Sequence, residues 1–130
     1  MCSSTVALDR RPYAEDAASL LDALEQRQAS GFMAWHTVAS FHYLVAPKRG
    51  DANTKAFLVE LTRFIQVAPT TTQSVRYAAQ LPMRDFEDAL QVAAAVACGA
   101  AAIATRNVRD FARSPVRAAA PRVLLDELAG

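Results

Sequence analysis

The chain has 130 residues, 52% of them hydrophobic and 21% charged, with a net charge of +1. That length fits a single domain over residues 1–130 with material for a real core. The near-neutral balance excludes a surface that is strongly basic or acidic overall, so any nucleic-acid site must come from local clustering, and no apolar run is unbroken for the length of a membrane span.

The opening MCSSTVALDRRPYAED has no basic stretch followed by an apolar one, so no secretory leader is expected. Cys2 and Cys98 are too few and too far apart for a disulfide framework or a metal knuckle. Both are expected to be reduced thiols of a cytoplasmic protein.

In chain order, only STVAL can serve as an opening buried strand. Pro12 suits the first turn of a helix whose apolar face is Ala14, Ala17, Ala18, Leu20, Leu21 and Leu24, ended by Gly31. A short strand comes next, around residues 32–34. A helix then turns Val38, Phe41, Leu44 and Val45 inward. PKRGDANT (47–54) reads as a loop, and Lys55 to Phe64 as an amphipathic helix. IQVAP (65–69) is a strand, followed by a small helix capped by Thr71 or Thr72. Asp85 opens a long helix that reaches Cys98 and stops at Gly99. AAIAT (101–105) is a buried strand, a last strand falls near Val116, and LLDELAG closes the chain as a helix. Short strands alternating with helices indicate an α/β fold around a mainly parallel sheet.

RDFEDAL (84–90) sets three carboxylates ahead of the apolar run LQVAAAVACGAAAIAT. Asp85 and Asp88 are spaced i, i+3 and share a helix face, whereas Glu87 points to solvent. Read alone, the pair is a helix cap that favours the helix dipole. The strand 101–105 changes this reading, because ligands of α/β sheets bind outside the carboxyl ends of the strands. A helix that precedes a parallel strand starts at the edge where that strand ends. Asp88 is therefore expected to converge with Thr105, Asn107 and Asp110. Carboxylate and amide oxygens with no Cys or His among them suit a hard cation, Mg²⁺ or Mn²⁺, and phosphoryl transfer to water.

RDFEDALQVAAAVACGAAAIATRNVRDF resembles the signature of PIN domains, in particular the VapC-like toxin ribonucleases. The matching positions are Asp88-Ala89, then Thr105, Asn107, Asp110 and Phe111. PYAEDAASLLDALEQ, GFMAWHTVASFHYLV, ARSPV and PRVLLDELA match further parts, so nearly the whole chain is covered. The resemblance implies a three-layer α/β/α fold and a metal-dependent endoribonuclease. Asp88, Asn107 and Asp110 would be its metal ligands, with Thr105 orienting them and Asp85 supporting as a cap. It also implies an RNA substrate, an antitoxin partner and a homodimer.

Two departures stand out. The family's first strand reads apolar-apolar-Asp-x-Asn, its Asp being a central ligand, and no such stretch is present. TVALDRRPYAEDAASLL matches the segment after that strand, which would put the strand and its aspartate before Met1. A truncated or misassigned start and a degenerate, inactive relative that binds RNA or protein are the competing explanations. A weaker option makes STVAL the strand and Asp9 its ligand, against the short spacing to PYAED. The second departure is Ser40, where many members have a glutamate.

Arg84, Arg106, Arg109 and Arg113 flank the expected site. They read either as a clamp on RNA phosphates or as a solvated rim that balances the acids. His36 and His42 are six apart and do not share a helix face, so each reads as a half-buried polar residue. Trp35, Phe41 and Tyr43 alternate as base-stacking residues would, but Trp35 and Phe41 are more simply core. LLDALEQ and FLVELTRF offer either an apolar groove for an antitoxin helix or ordinary core leucines.

Overall fold

The computed structural model describes residues 5–8 and 15–129. Among them five strands form one parallel sheet: β1 (Thr5–Leu8), β2 (Ser30–Met33), β3 (Ile65–Val67), β4 (Ala102–Ala104) and β5 (Ala118–Ala119), in the order β3-β2-β1-β4-β5. The helices are α1 (Glu15–Glu25), α2 (Trp35–Arg49), α3 (Asp51–Leu61), α4 (Thr72–Gln80), α5 (Phe86–Ala97) and α6 (Pro121–Ala129).

Strand alternation divides the core into two layers. Val6 and Leu8 of β1, with Ala102 and Ala104 of β4, face Leu20 and Leu24 of α1 and Leu124 of α6. Ala7 and Ile103 point the other way, onto Val92 and Ala95 of α5 and onto Phe111. Helices on both faces of a parallel sheet make this the expected α/β/α fold.

The first strand lies within the chain, which corrects the alignment that put it before Met1. TVAL is the central strand, pairing Leu8 with Met33 on one side and with Ala104 on the other. Four residues suffice because its neighbours are just as short and both of its faces are buried. Asp9, Pro12, Ala14 and Cys2 lie outside the described residues.

Three boundaries also differ from expectation. Gly31 does not end α1. The helix stops when Arg27 turns left-handed (φ 61°), with Gln28 N–H donating to Ala23 O at 3.1 Å and Arg27 N–H to Leu24 O at 3.0 Å. Gly31 lies instead in β2, where a Cβ would come within 2.6 Å of Ile65 Cδ1 and 2.8 Å of Leu24 Cδ1. Residues 47–54 are helical except at Gly50 (φ 90°), where α2 turns into α3. The polar residues read as loop formers close this corner. Thr54 Oγ1–H donates to Gly50 O at 2.7 Å, and Asn53 Nδ2–H to Arg49 O at 2.9 Å. The last strand falls at Ala118–Ala119 rather than at Val116, which packs beneath α5.

Candidate active site

The α5 helix starts where its sequence says it should. Asp85 is extended (φ −95°, ψ 120°) and its Oδ1 accepts the Asp88 N–H at 3.2 Å, capping the helix. Gly99 (φ 68°) lies past the other end. Asp88, on the first turn, is only 6% exposed. A carboxylate is buried at such cost that its surroundings must supply compensation.

Across from it, β4 ends at Ala104 and the buried Thr105 carries the chain into a 3-10 turn, Val108–Phe111. Thr105 Oγ1 accepts the Asn107 N–H at 3.0 Å, and Asn107 O accepts the Asp110 N–H at 3.0 Å. These bonds shape the loop so that Phe111 anchors in the core while Asp110 remains exposed.

Asp88 and Asp110 open onto one cleft of about 920 Å³, also lined by Pro82, Met83, Arg84, Asp85, Arg109, Ala112 and Arg113. The structure thus brings together Asp85, Asp88, Asp110 and three of the four arginines singled out in the sequence. Thr105, Asn107 and Arg106 do not line the cleft. Asn107 is half-buried at the head of the 3-10 turn, and Arg106 is exposed directly after Thr105. Elsewhere Arg63, Arg117 and Arg122 each pair with a carboxylate: Glu60, Glu127 and Asp126. Among the described residues, Arg84, Arg106, Arg109 and Arg113 form no such pair.

The donor chemistry suits a hard cation, which for Mg²⁺ takes one or two carboxylates together with waters and substrate phosphates. Asp88 and Asp110 meet that minimum. Among the described residues no group of three His, Cys, Asp or Glu side chains could hold a metal.

The α2 helix contributes no residue to the cleft but is hydrogen-bonded to α5. Thr37 Oγ1–H donates to Gln91 Oε1 at 3.0 Å, a buried link between α2 and α5. It was invisible in the sequence, except that Gln91 lies i+3 from Asp88 on the same helix face. Ser40 Oγ–H donates to Glu87 Oε2 at 3.4 Å on the exposed side of this contact, and Glu87 faces solvent as expected.

Phe41 is core, stacked on Phe57 with ring centroids 5.6 Å apart, but Trp35 is 71% exposed and is not core. Tyr43 is also exposed. His42 Nε2 lies 2.7 Å from Asp51 Oδ1 across the α2–α3 corner. Burial pushes the Cys98 thiol up from its ordinary range. A second cleft of about 870 Å³ runs between α1, α2 and α3 and is lined by Leu21, Phe41, Leu44, Phe57, Leu61 and Phe64, with Glu25, Glu60 and Lys48 on its rim. It joins the two leucine-rich segments singled out in the sequence. No described helix is long and apolar enough to cross a membrane.

Comparison with known families and folds agrees with this architecture. A family model described as PIN domain matches residues 5–109, beginning on β1. Similar solved structures include VapBC2 from Rickettsia felis, bound to a DNA fragment from its promoter (14% identity, 89% of this chain and 98% of that one, TM-score 0.69). VapBC-1 from nontypeable Haemophilus influenzae (14%, 90% and 98%, 0.68) and FitAB bound to an IR36 DNA fragment (20%, 90% and 95%, 0.67) are similar too. No curated protein sequence matches.

Proposed function

The chain belongs to the PIN-domain family, whose members are generally nucleases, and on that premise we propose that it is a metal-dependent endoribonuclease of the toxin–antitoxin type. The observation that carries this reading is one cleft shared by a buried Asp88, an exposed Asp110 and arginines that form no ion pair among the described residues. In this reading Asp88 and Asp110 hold Mg²⁺ or Mn²⁺, Asn107 contributes an amide oxygen, and Thr105 orients the loop. Asp9, which follows Leu8 in the sequence and lies outside the described residues, is the weaker candidate for a further carboxylate. A divalent cation bound there would neutralise phosphate charge and activate water. Asp85 holds the first turn of α5, and with it the Asp88 backbone, in place. Arg84, Arg109 and Arg113, with Arg106 beyond the cleft, hold the RNA backbone by charge-assisted hydrogen bonds.

The apolar second cleft takes a helix of an antitoxin, a mode in which an amphipathic helix buries its apolar face in a groove. VapBC and FitAB are names of two-component assemblies, which supports a partner of this kind. We further assign the protein to the cytoplasm, as a homodimer.

The test is cleavage of RNA by wild type in Mg²⁺ or Mn²⁺, its loss on chelation, and its loss in Asp88→Asn. Cleavage that persists in Asp88→Asn refutes the assignment. A second reading, an inactive module that binds RNA or protein, is favoured by the absence of a third clustered ligand among the described residues. RNA binding without cleavage under either metal would select it.

A further inference from the structure

WHTVASFHY (35–43) is symmetric in kind about its middle residue: Trp-His and His-Tyr stand at equal distances on either side of Ala39. All of it lies in α2, and its apolar residues fall on every side of that helix. A helix of this kind is ordinarily covered all round. One side of α2 is covered: Phe41 stacks on Phe57, Val38 packs against the core, and Thr37 bonds Gln91 of α5. The other side is open. Trp35, Ala39 and Tyr43 follow at i, i+4 and i+8 on one face, and all three are exposed, Trp35 by 71% and Tyr43 by 80%. None of them lines either cleft. An open apolar face with aromatic side chains marks a protein contact.

Charge narrows the partner. No Asp, Glu, Lys or Arg occurs from Gly31 to Pro47, so this face gives a phosphate backbone or a charged peptide nothing to pair with. Two copies can approach on it without like-charge repulsion. Symmetry then selects the second copy, because in an isologous contact residue i touches j while j touches i. A two-fold axis through Ala39, with the two α2 helices antiparallel, sets Trp35 on the partner's Tyr43 and His36 beside the partner's His42. Trp35 and Tyr43 each stand about 6 Å along the helix from the crossing point. The i±4 row is the ridge that the commonest helix packing uses, and a methyl group at the crossing permits an interaxial distance near 8 Å. The four exposed aromatic side chains bring about 600 Å² to the contact, half of the ~1,200 Å² at which stable specific interfaces begin. The size fits a micromolar dimer rather than an obligate one.

We propose that the outer face of α2 is the contact of a two-fold dimer of this chain, with Ala39 at the axis and Trp35 against the partner's Tyr43. This rests on the homodimer assignment, adds the surface that makes it, and does not depend on catalysis. The contact takes no residue from either cleft, so the phosphate site and the apolar groove stay separate from it.

Trp35 is the sole tryptophan, so its emission reports on the contact directly. Sedimentation of wild type across the micromolar range should show a monomer–dimer equilibrium, and Trp35 emission should shift over the same concentrations. Ala39→Glu places like charges at the axis and should weaken the dimer roughly 100-fold, with the unfolding transition unchanged because Ala39 is exposed. Trp35→Lys and Tyr43→Glu test the register. Mixed, they should associate more tightly than either does alone, because the new ammonium and carboxylate then face each other while one Trp35–Tyr43 contact survives. A chain that stays monomeric throughout refutes the homodimer and this face together. A dimer that Ala39→Glu leaves as tight as wild type keeps the homodimer and overturns this face. Charged variants that associate no better mixed than alone overturn the register, and with it the proposal.

Discussion

The link between α2 and α5 rests on a buried pair with one end unmet. Gln91 is 1% exposed and Thr37 3%, and the Thr37 hydroxyl satisfies Gln91 Oε1 while Gln91 Nε2 has no partner among the described residues. Thr37→Val removes the donor and leaves both ends of the amide unpaired, at a cost of about 1–3 kcal/mol. Gln91→Met removes the orphaned donor, a gain of similar size, but strands the Thr37 hydroxyl, so the two effects offset to near zero. The double variant leaves no buried polar group unpaired and should be as stable as wild type or more so. The coupling in the cycle is therefore at least about 1 kcal/mol, well beyond the ~0.3–0.5 kcal/mol scatter of independent sites. Urea unfolding of the four proteins measures it, and for a chain of this size each kcal/mol also shifts Tm by about 4 °C. Single effects that simply add would refute the account of this link.

Gly31→Ala drives a methyl into the buried ends of Ile65 and Leu24 and should cost about 1–3 kcal/mol in denaturant unfolding; a neutral result would mean that β2 shifts freely. Hydrogen bonds from Lys55 and then His42 hold the Asp51 carboxyl below its ordinary 3.8, so its contribution is present above that range and lost as pH falls through it. Unfolding measured against pH should show wild type more stable than Asp51→Asn near neutrality and the two converging in acid; parallel profiles would dismiss the pairing.

How legible each element was in the sequence depends on the physics of its signal. The α5–β4 half was readable because a cap, a helical apolar run and a glycine stop mark its limits locally, and because parallel-sheet topology then requires Asp88 and the loop of Asp110 to meet. β1 was legible only as a weak candidate, STVAL. A strand buried on both faces has no alternation, and at four residues TVAL is too short to outweigh the charged stretch beside it. The corner at residues 47–54 misled because Pro, Gly, Asn and Asp occur at helix ends as readily as in loops, and here Pro47 lies inside α2, Asn53 bonds the last α2 carbonyl and Gly50 alone makes the turn. Trp35 misled because hydrophobic character predicts burial only one way. The Thr37–Gln91 bond joins residues 54 positions apart, which no local pattern encodes.

The site's charge therefore does not come from composition. A net charge of +1 describes a chain whose acids and bases mostly cancel, and several do so directly, as Arg63–Glu60, Arg117–Glu127, Arg122–Asp126 and Lys55–Asp51 pairs on the surface. Each exposed pair of this kind adds little stability, but each removes a cation from the field the molecule presents. The charge left uncompensated decides where an anionic polymer settles. At the carboxyl edge of β4 the Thr105 and Asn107 hydrogen bonds shape the loop that carries Arg106, Arg109 and Asp110, while the Asp85 cap fixes Asp88 within the first turn of α5. Both walls of the cleft carry both signs, Arg84 beside Asp85 and Arg109 beside Asp110, and leaving these arginines without an ion pair among the described residues keeps their charge uncompensated in a near-neutral chain.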